Sequence, residues 1–97
     1  MADLPGAFGE TKEATEAIQR MCDEVKLKVE ELTHKTYVEF EAVKFMDGVT
    51  MNFFIKVHVG GVNYIHLWVF KPLGGHVELR GVQQHKTKDD PLVPFEN

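Results

Sequence analysis

The feature that most narrows the folds open to this chain is one amphipathic helix followed only by segments of period two. Apolar residues fall at Ile18, Met21, Cys22, Val25, Val29 and Leu32, spaced as one continuous helical stripe. Thr15 precedes the stripe as an N-cap, and Glu16 places an acid in the first turn, where the helix dipole favours it. Leu27 falls off the stripe and is expected to be partly exposed. Glu24 and Lys28, at i,i+4, are expected to pair on the outer face. The pattern fades at Thr33-His34-Lys35-Thr36, which predicts a helix of about 18–20 residues.

From Tyr37 onward the chain reads as strand. Tyr37 to Met46 is rich in β-branched and aromatic residues, and its alternation breaks near Ala42-Val43, as a bulge would require. Asp47-Gly48 is the best short hairpin signal and predicts a two-residue turn. Phe53, Ile55, Val57 and Val59 then alternate with Phe54, Lys56 and His58, and Gly60-Gly61 turns the chain. Ile65, Leu67 and Val69 alternate with Tyr64, His66, Trp68 and Phe70. Pro72-Leu73-Gly74-Gly75 makes a third turn, before a last strand through Val77, Leu79 and Gly81. These elements predict an α+β fold: one long N-terminal helix packed in a curved four-stranded antiparallel sheet. The helix stripe is buried against Phe53/Ile55/Val57 and Ile65/Leu67/Val69.

The chain has 97 residues, enough for one small domain over 1–97, with an N-terminal arm at 1–12 and a polar, proline-broken tail at 86–97. Leu92, Val93 and Phe95 are positioned to pin that tail to the surface. A net charge of −4 offers no basic excess for a nucleic-acid backbone, and no apolar run approaches the roughly 20 residues of a membrane span. The opening Met1-Ala2-Asp3-Leu4-Pro5-Gly6 lacks the basic and apolar segments of a signal peptide. The one cysteine, Cys22, cannot form an internal disulfide. Both point to a cytoplasmic protein.

No constellation of catalytic residues stands out, so the chain does not read as an enzyme. Cys22 lies on the helix stripe, where a buried thiol stays protonated and inert. His58 and His66 fall on the sheet face opposite the aliphatic one and read as solvated histidines, too few to hold a metal ion. Glu13, Glu16, Asp23, Glu24, Glu30 and Glu31 read as the solvated side of the helix region. The glycine pairs serve turns without the strand-loop-helix setting of a phosphate cradle, and no cofactor is implied. Phe54, Tyr64, Trp68 and Phe70 share the outer face. They form either a cross-strand aromatic ladder partly covered by the tail or an exposed patch for a partner.

Asn52-Phe53-Phe54-Ile55-Lys56-Val57-His58-Val59-Gly60, followed by Tyr64-Ile65-His66-Leu67-Trp68-Val69-Phe70, closely resembles the stefins, the disulfide-free branch of the cystatins. Ala14-Thr15-Glu16-Ala17-Ile18-Gln19, Glu41-Ala42-Val43 and Lys86-Thr87-Lys88-Asp89-Asp90 resemble the same family, in order along nearly the whole chain. The resemblance implies a cystatin-like fold, in which a short N-terminal strand joins the four-stranded sheet, and reversible, tight-binding inhibition of papain-like (C1) cysteine peptidases, the cathepsin L, S, H and B class. It implies a wedge of three parts. An arm enters the non-primed side of the cleft, here Leu4, Pro5 and Gly6. The first hairpin loop is here Asp47, Gly48, Val49 and Thr50. The second loop, on the primed side, is here Leu73, Gly74, Gly75 and His76.

Two departures fall on that wedge. The family's central Gln-Val-Val-Ala-Gly is absent, and Met46-Asp47-Gly48-Val49-Thr50-Met51 is shorter than the segment it replaces; the second loop is shorter too. An Asp47 carboxylate at the tip would be desolvated in the cleft at a cost of several kcal/mol. The expectation is therefore weakened inhibition, with the alternative of a cystatin-fold scaffold or binding protein, divergent or loop-engineered, that does not inhibit. Stefins can exchange the helix and first strand between molecules. A shortened hinge favours exchange while a comfortable Asp-Gly turn opposes it, which leaves both a monomer and a swapped dimer open.

Overall fold

The computed structural model describes residues 8–48 and 50–96. The elements run β1 (Lys12–Glu13), α1 (Glu16–Thr33), β2 (Glu41–Asp47), β3 (Asn52–His58), β4 (Tyr64–Phe70) and β5 (Glu78–Lys86). The five strands form one antiparallel sheet in sequence order, β1-β2-β3-β4-β5. This is the α+β architecture expected from the sequence.

Helix α1 starts at Thr15, whose hydroxyl accepts the Ile18 N–H at 3.3 Å. It ends where His34 takes a left-handed conformation (φ 59°) and the Lys35 N–H closes back on the Glu30 carbonyl at 3.2 Å. Ile18, Met21, Cys22, Val25 and Val29 are buried against Phe45, Ile55, Val57, Ile65, Leu67 and Val69. Each large aliphatic side chain taken out of water in this way contributes about 1.5–3 kcal/mol. Leu32 departs from the expected stripe and is 60% exposed. Glu24 does not pair with Lys28. Lys28 lies 3.8 Å from Glu31, Lys26 lies 3.9 Å from Glu30, and Glu24 accepts the Val77 N–H at 3.4 Å.

The expected strand from Tyr37 begins only at Glu41. The preceding residues are held by the helix instead: Glu30 accepts the Tyr37 N–H at 2.8 Å, and Gln19 donates to the Phe40 carbonyl at 2.9 Å. Gln19 also accepts the Ala42 N–H at 2.7 Å, which delivers the chain to the sheet. With these backbone groups satisfied by helix side chains, Tyr37 and Phe40 bury their rings in the core without ladder pairing. The break near Ala42-Val43 is a register shift between Ala42 and Lys44, as expected of a bulge.

The outer sheet face carries a second core. Met46, Phe54, Leu92 and Phe95 are buried together, with Phe8 and Trp68 packed against them. The tail is thus pinned by Leu92 and Phe95, while Val93 stays half exposed. The aromatic-ladder reading of this face holds for two of its four residues: Phe54 stacks on Trp68 at 5.8 Å and meets Phe8 and Phe95 at 5.1 and 5.2 Å, while Tyr64 packs on His58 and Phe70 lies against Arg80. Lys56 is also buried, its ammonium donating to the carbonyls of Thr87, Lys88 and Asp90 at 2.8, 2.8 and 2.6 Å. His66, expected to be solvated, is fully buried, and neither ring nitrogen has a hydrogen-bond partner. Among the described residues no helix is long and apolar enough to cross a membrane.

Candidate functional site

The antiparallel order sends the β2–β3 and β4–β5 turns to the same end of the sheet, and the chain enters β1 from that end as well. Backbone hydrogen bonds tie the three segments together there. Gly9 donates to the Asp47 carbonyl at 3.1 Å, Phe8 bridges to Gly48, and Lys71 donates to the Met51 carbonyl at 3.0 Å. Leu4, Pro5, Gly6 and Val49, named from the sequence, lie outside the described residues.

The first turn is not the two-residue Asp47-Gly48 turn expected. Asp47 pairs with Phe53 inside the ladder, and the Gly48 N–H donates to the Asn52 carbonyl at 3.1 Å. The connection therefore lies beyond Gly48, where Thr50 and Met51 lead into β3, with Met51 in the left-handed conformation (φ 62°) that closes short hairpins. Pairing sets the turn: Phe45 faces Ile55 and Met46 faces Phe54, so each apolar residue meets a partner on its own face. A turn at Asp47-Gly48 would shift the register by an odd number and bring Ile55 and Val57 to the wrong side. Asp47 consequently sits below the tip, and its carboxylate lies 3.4 Å from Lys12, both side chains being substantially exposed. The expected charge at the apex is absent, because the connecting residues carry none.

The second turn forms as expected. Gly75 donates to the Pro72 carbonyl at 3.2 Å, and Gly74 has a φ of +69° at the third position, which suits glycine. A β-carbon on Gly75 would stand 2.7 Å from the Pro72 ring, so the turn's compactness depends on that glycine. Leu73 projects with 85% exposure, and His76 is exposed beyond it. An apolar groove lined by Met51, Phe53, Lys71, Pro72, Leu73 and Gly74 joins the two turns.

Sequence reasoning missed several residues of this edge. Met51 and Lys71 supply the link between turns, and Asn52 organises the first turn from beneath. Asn52 was legible only as a polar residue opening a strand; its partners lie on the turn and on β4.

Elsewhere the chemistry is quiet. Cys22 is fully buried, and burial, with the nearby Asp23 carboxylate, pushes its thiol up to about 12, as expected for an inert thiol. Glu39, Glu41 and His58 bring three potential ligand atoms within 4.8 Å of one another, a cluster the sequence reading passed over. His58 is engaged at both nitrogens, with the Glu39 carboxylate at 2.7 Å and the Gly61 carbonyl at 2.7 Å. Both partners are acceptors, which favours the protonated ring: the hydrogen bond to the Gly61 carbonyl, and then the Glu39 carboxylate, raise its pKa against a smaller opposing effect of desolvation.

Comparison with known proteins places this geometry. The chain is 46% identical to Cystatin-A1 of Sus scrofa over 97 aligned residues, covering 95% of this chain and 94% of that one. It is 44% identical to Leukocyte cysteine proteinase inhibitor 1 of Sus scrofa, again over 95% and 94% of the two chains. It is 40% identical to Cystatin-B of Oplegnathus fasciatus over 100 aligned residues, 98% of this chain and 100% of the relative. No protein-family model matches the chain. With near-complete coverage by relatives of both the A and B types, and a helix set against an antiparallel sheet, the chain belongs to the stefin family of cystatins.

Proposed function

We propose that the protein is a reversible, tight-binding inhibitor of papain-like cysteine peptidases of the cathepsin L, S, H and B class, acting in the cytoplasm as a monomer. The observation that carries this reading is the single edge formed by Phe8-Gly9, the Gly48–Met51 turn and the Lys71–Gly75 turn, cross-tied by the Gly9–Asp47 and Met51–Lys71 hydrogen bonds. Such an edge inhibits by filling a cleft with rigid, mostly apolar backbone, and it asks for no acid–base chemistry. Preorganisation keeps the cost of ordering low, so the burial of Met51, Leu73 and the glycine-rich second turn goes into affinity. Leu4, Pro5 and Gly6 supply the arm in this reading, with Gly48, Val49, Thr50, Leu73, Gly74, Gly75 and His76 on the two loops. Asp47 takes a supporting place, because its carboxylate faces Lys12. The named relatives include a cysteine proteinase inhibitor, which supports the same class of partner.

Titration of papain, and then of a cathepsin L-type enzyme, under reducing conditions tests the proposal. Reversible inhibition with a sub-micromolar constant is expected, and size-exclusion chromatography should give a monomer. Absence of inhibition at tens of micromolar would reduce the protein to a scaffold that keeps the fold without the activity.

A further inference from the structure

Trp68 lies on β4, on the sheet face opposite the helix, and is the only tryptophan in the chain. Its indole N–H donates to the Asn52 side-chain carbonyl at 2.8 Å. Asn52 is 8% exposed, and its amide nitrogen donates to the Thr50 hydroxyl at 2.8 Å and the Thr50 carbonyl at 3.2 Å. The order of these bonds is dictated by chemistry. An indole N–H can only donate, so the Asn52 oxygen must face Trp68, and the amide nitrogen is left pointing at two acceptors on Thr50. Trp68 therefore fixes which way the Asn52 amide lies, and the amide fixes the turn. The indole is held in turn by stacking on Phe54, which is clamped by Phe95.

We propose that Trp68 and Asn52 are positioning residues for the inhibitory edge: the indole locks the Asn52 amide, which locks Thr50 and the first turn into the shape that enters the cleft. The outer aromatic face then serves the edge and is not a docking patch. This rests on the inhibitory reading above.

The test compares the wild type with Trp68→Phe, which keeps a stacking ring without the donor, and Asn52→Asp, which keeps an acceptor for Trp68 but cannot donate to Thr50. Papain inhibition constants and association rates are measured beside amide hydrogen exchange. Each single variant should weaken inhibition about fivefold to tenfold, the scale of one lost hydrogen bond, mainly through slower association. Exchange at the Gly48 and Lys71 amides, which donate to the Asn52 and Met51 carbonyls, should quicken, while Ile55 and Leu67 keep their wild-type protection. The indole N–H resonance should survive in Asn52→Asp, so loss of inhibition there isolates the turn from the Trp68 bond. The double variant should be little worse than either single. Singles that inhibit like an active wild type, or that leave Gly48 and Lys71 exchange unaltered, overturn the brace and leave the inhibitory reading standing. A wild type that fails to inhibit overturns the inhibitory reading itself, even if the exchange rates respond.

Discussion

Acidification should destabilise this protein through one residue, His66. Its ring is fully buried between the sheet and the tail, with no hydrogen-bond partner for either nitrogen. Desolvation, followed by the Lys56 and Lys86 charges, lowers its pKa from 6.5 to about 4, against a smaller opposing pull from Asp90. A histidine with a depressed folded pKa binds its proton more readily when unfolded. The stability it protects is therefore fully present above pH 6.5, declines as pH falls from 6.5 towards 4, and is gone below that. At 1.36 kcal/mol per pKa unit, the interval is worth roughly 3 kcal/mol. His58 has the opposite sign, since its raised pKa favours folding below the ordinary histidine range and offsets part of the loss; it is more exposed, so its share is smaller. Urea unfolding between pH 7.5 and 4 should therefore show wild-type stability falling more steeply than that of His66→Leu. At pH 7.5 the variant should be as stable as the wild type or more so, because it removes two unpaired polar atoms from the interior. The direct check is the His66 ring proton resonance. A midpoint near 6.5 in the native protein would refute the argument.

The tail clasp gives a second prediction. Lys56→Met removes the ammonium from three carbonyls and should cost about 1–3 kcal/mol, seen as faster exchange and proteolysis of residues 87–96. Asp47→Asn should alter stability by less than about 1 kcal/mol, because the Lys12 pair is solvent-exposed. It should change papain affinity less than about threefold, and a loss beyond tenfold would return Asp47 to the apex. Phe95→Ala should cost about 3 kcal/mol, at the low end for a buried phenylalanine because a terminal segment can relax. It should also weaken inhibition through the Phe54 contact shared with Phe8, read as the difference between its inhibition constant and that of a tail-intact surface variant.

What the sequence determined is what local periodicity can carry. Thr15 and the stripe from Ile18 to Val29 specify a helix and its buried face. The alternation through Phe53–Val57 and Ile65–Val69 specifies strands and their inward side, and leucine and phenylalanine in the tail mark its anchors. Family membership was legible too, because helix, strand and tail residues match in order along the chain, although the loops depart. The tertiary structure alone decided the first turn. Asp47-Gly48 is the favoured local turn, but pairing Phe45 with Ile55 and Met46 with Phe54 keeps both faces consistent, and core burial outweighs turn preference. It also decided the state of His66 and Lys56. Alternation puts both on the outer face, yet that face is dry only because residues 87–95 fold back over it. The Trp68–Asn52–Thr50 chain belongs to the same class, for its members meet across strands at separations no local pattern records. Periodicity reports which side of an element faces inward; which segment covers the other side is settled by contacts between distant parts of the chain.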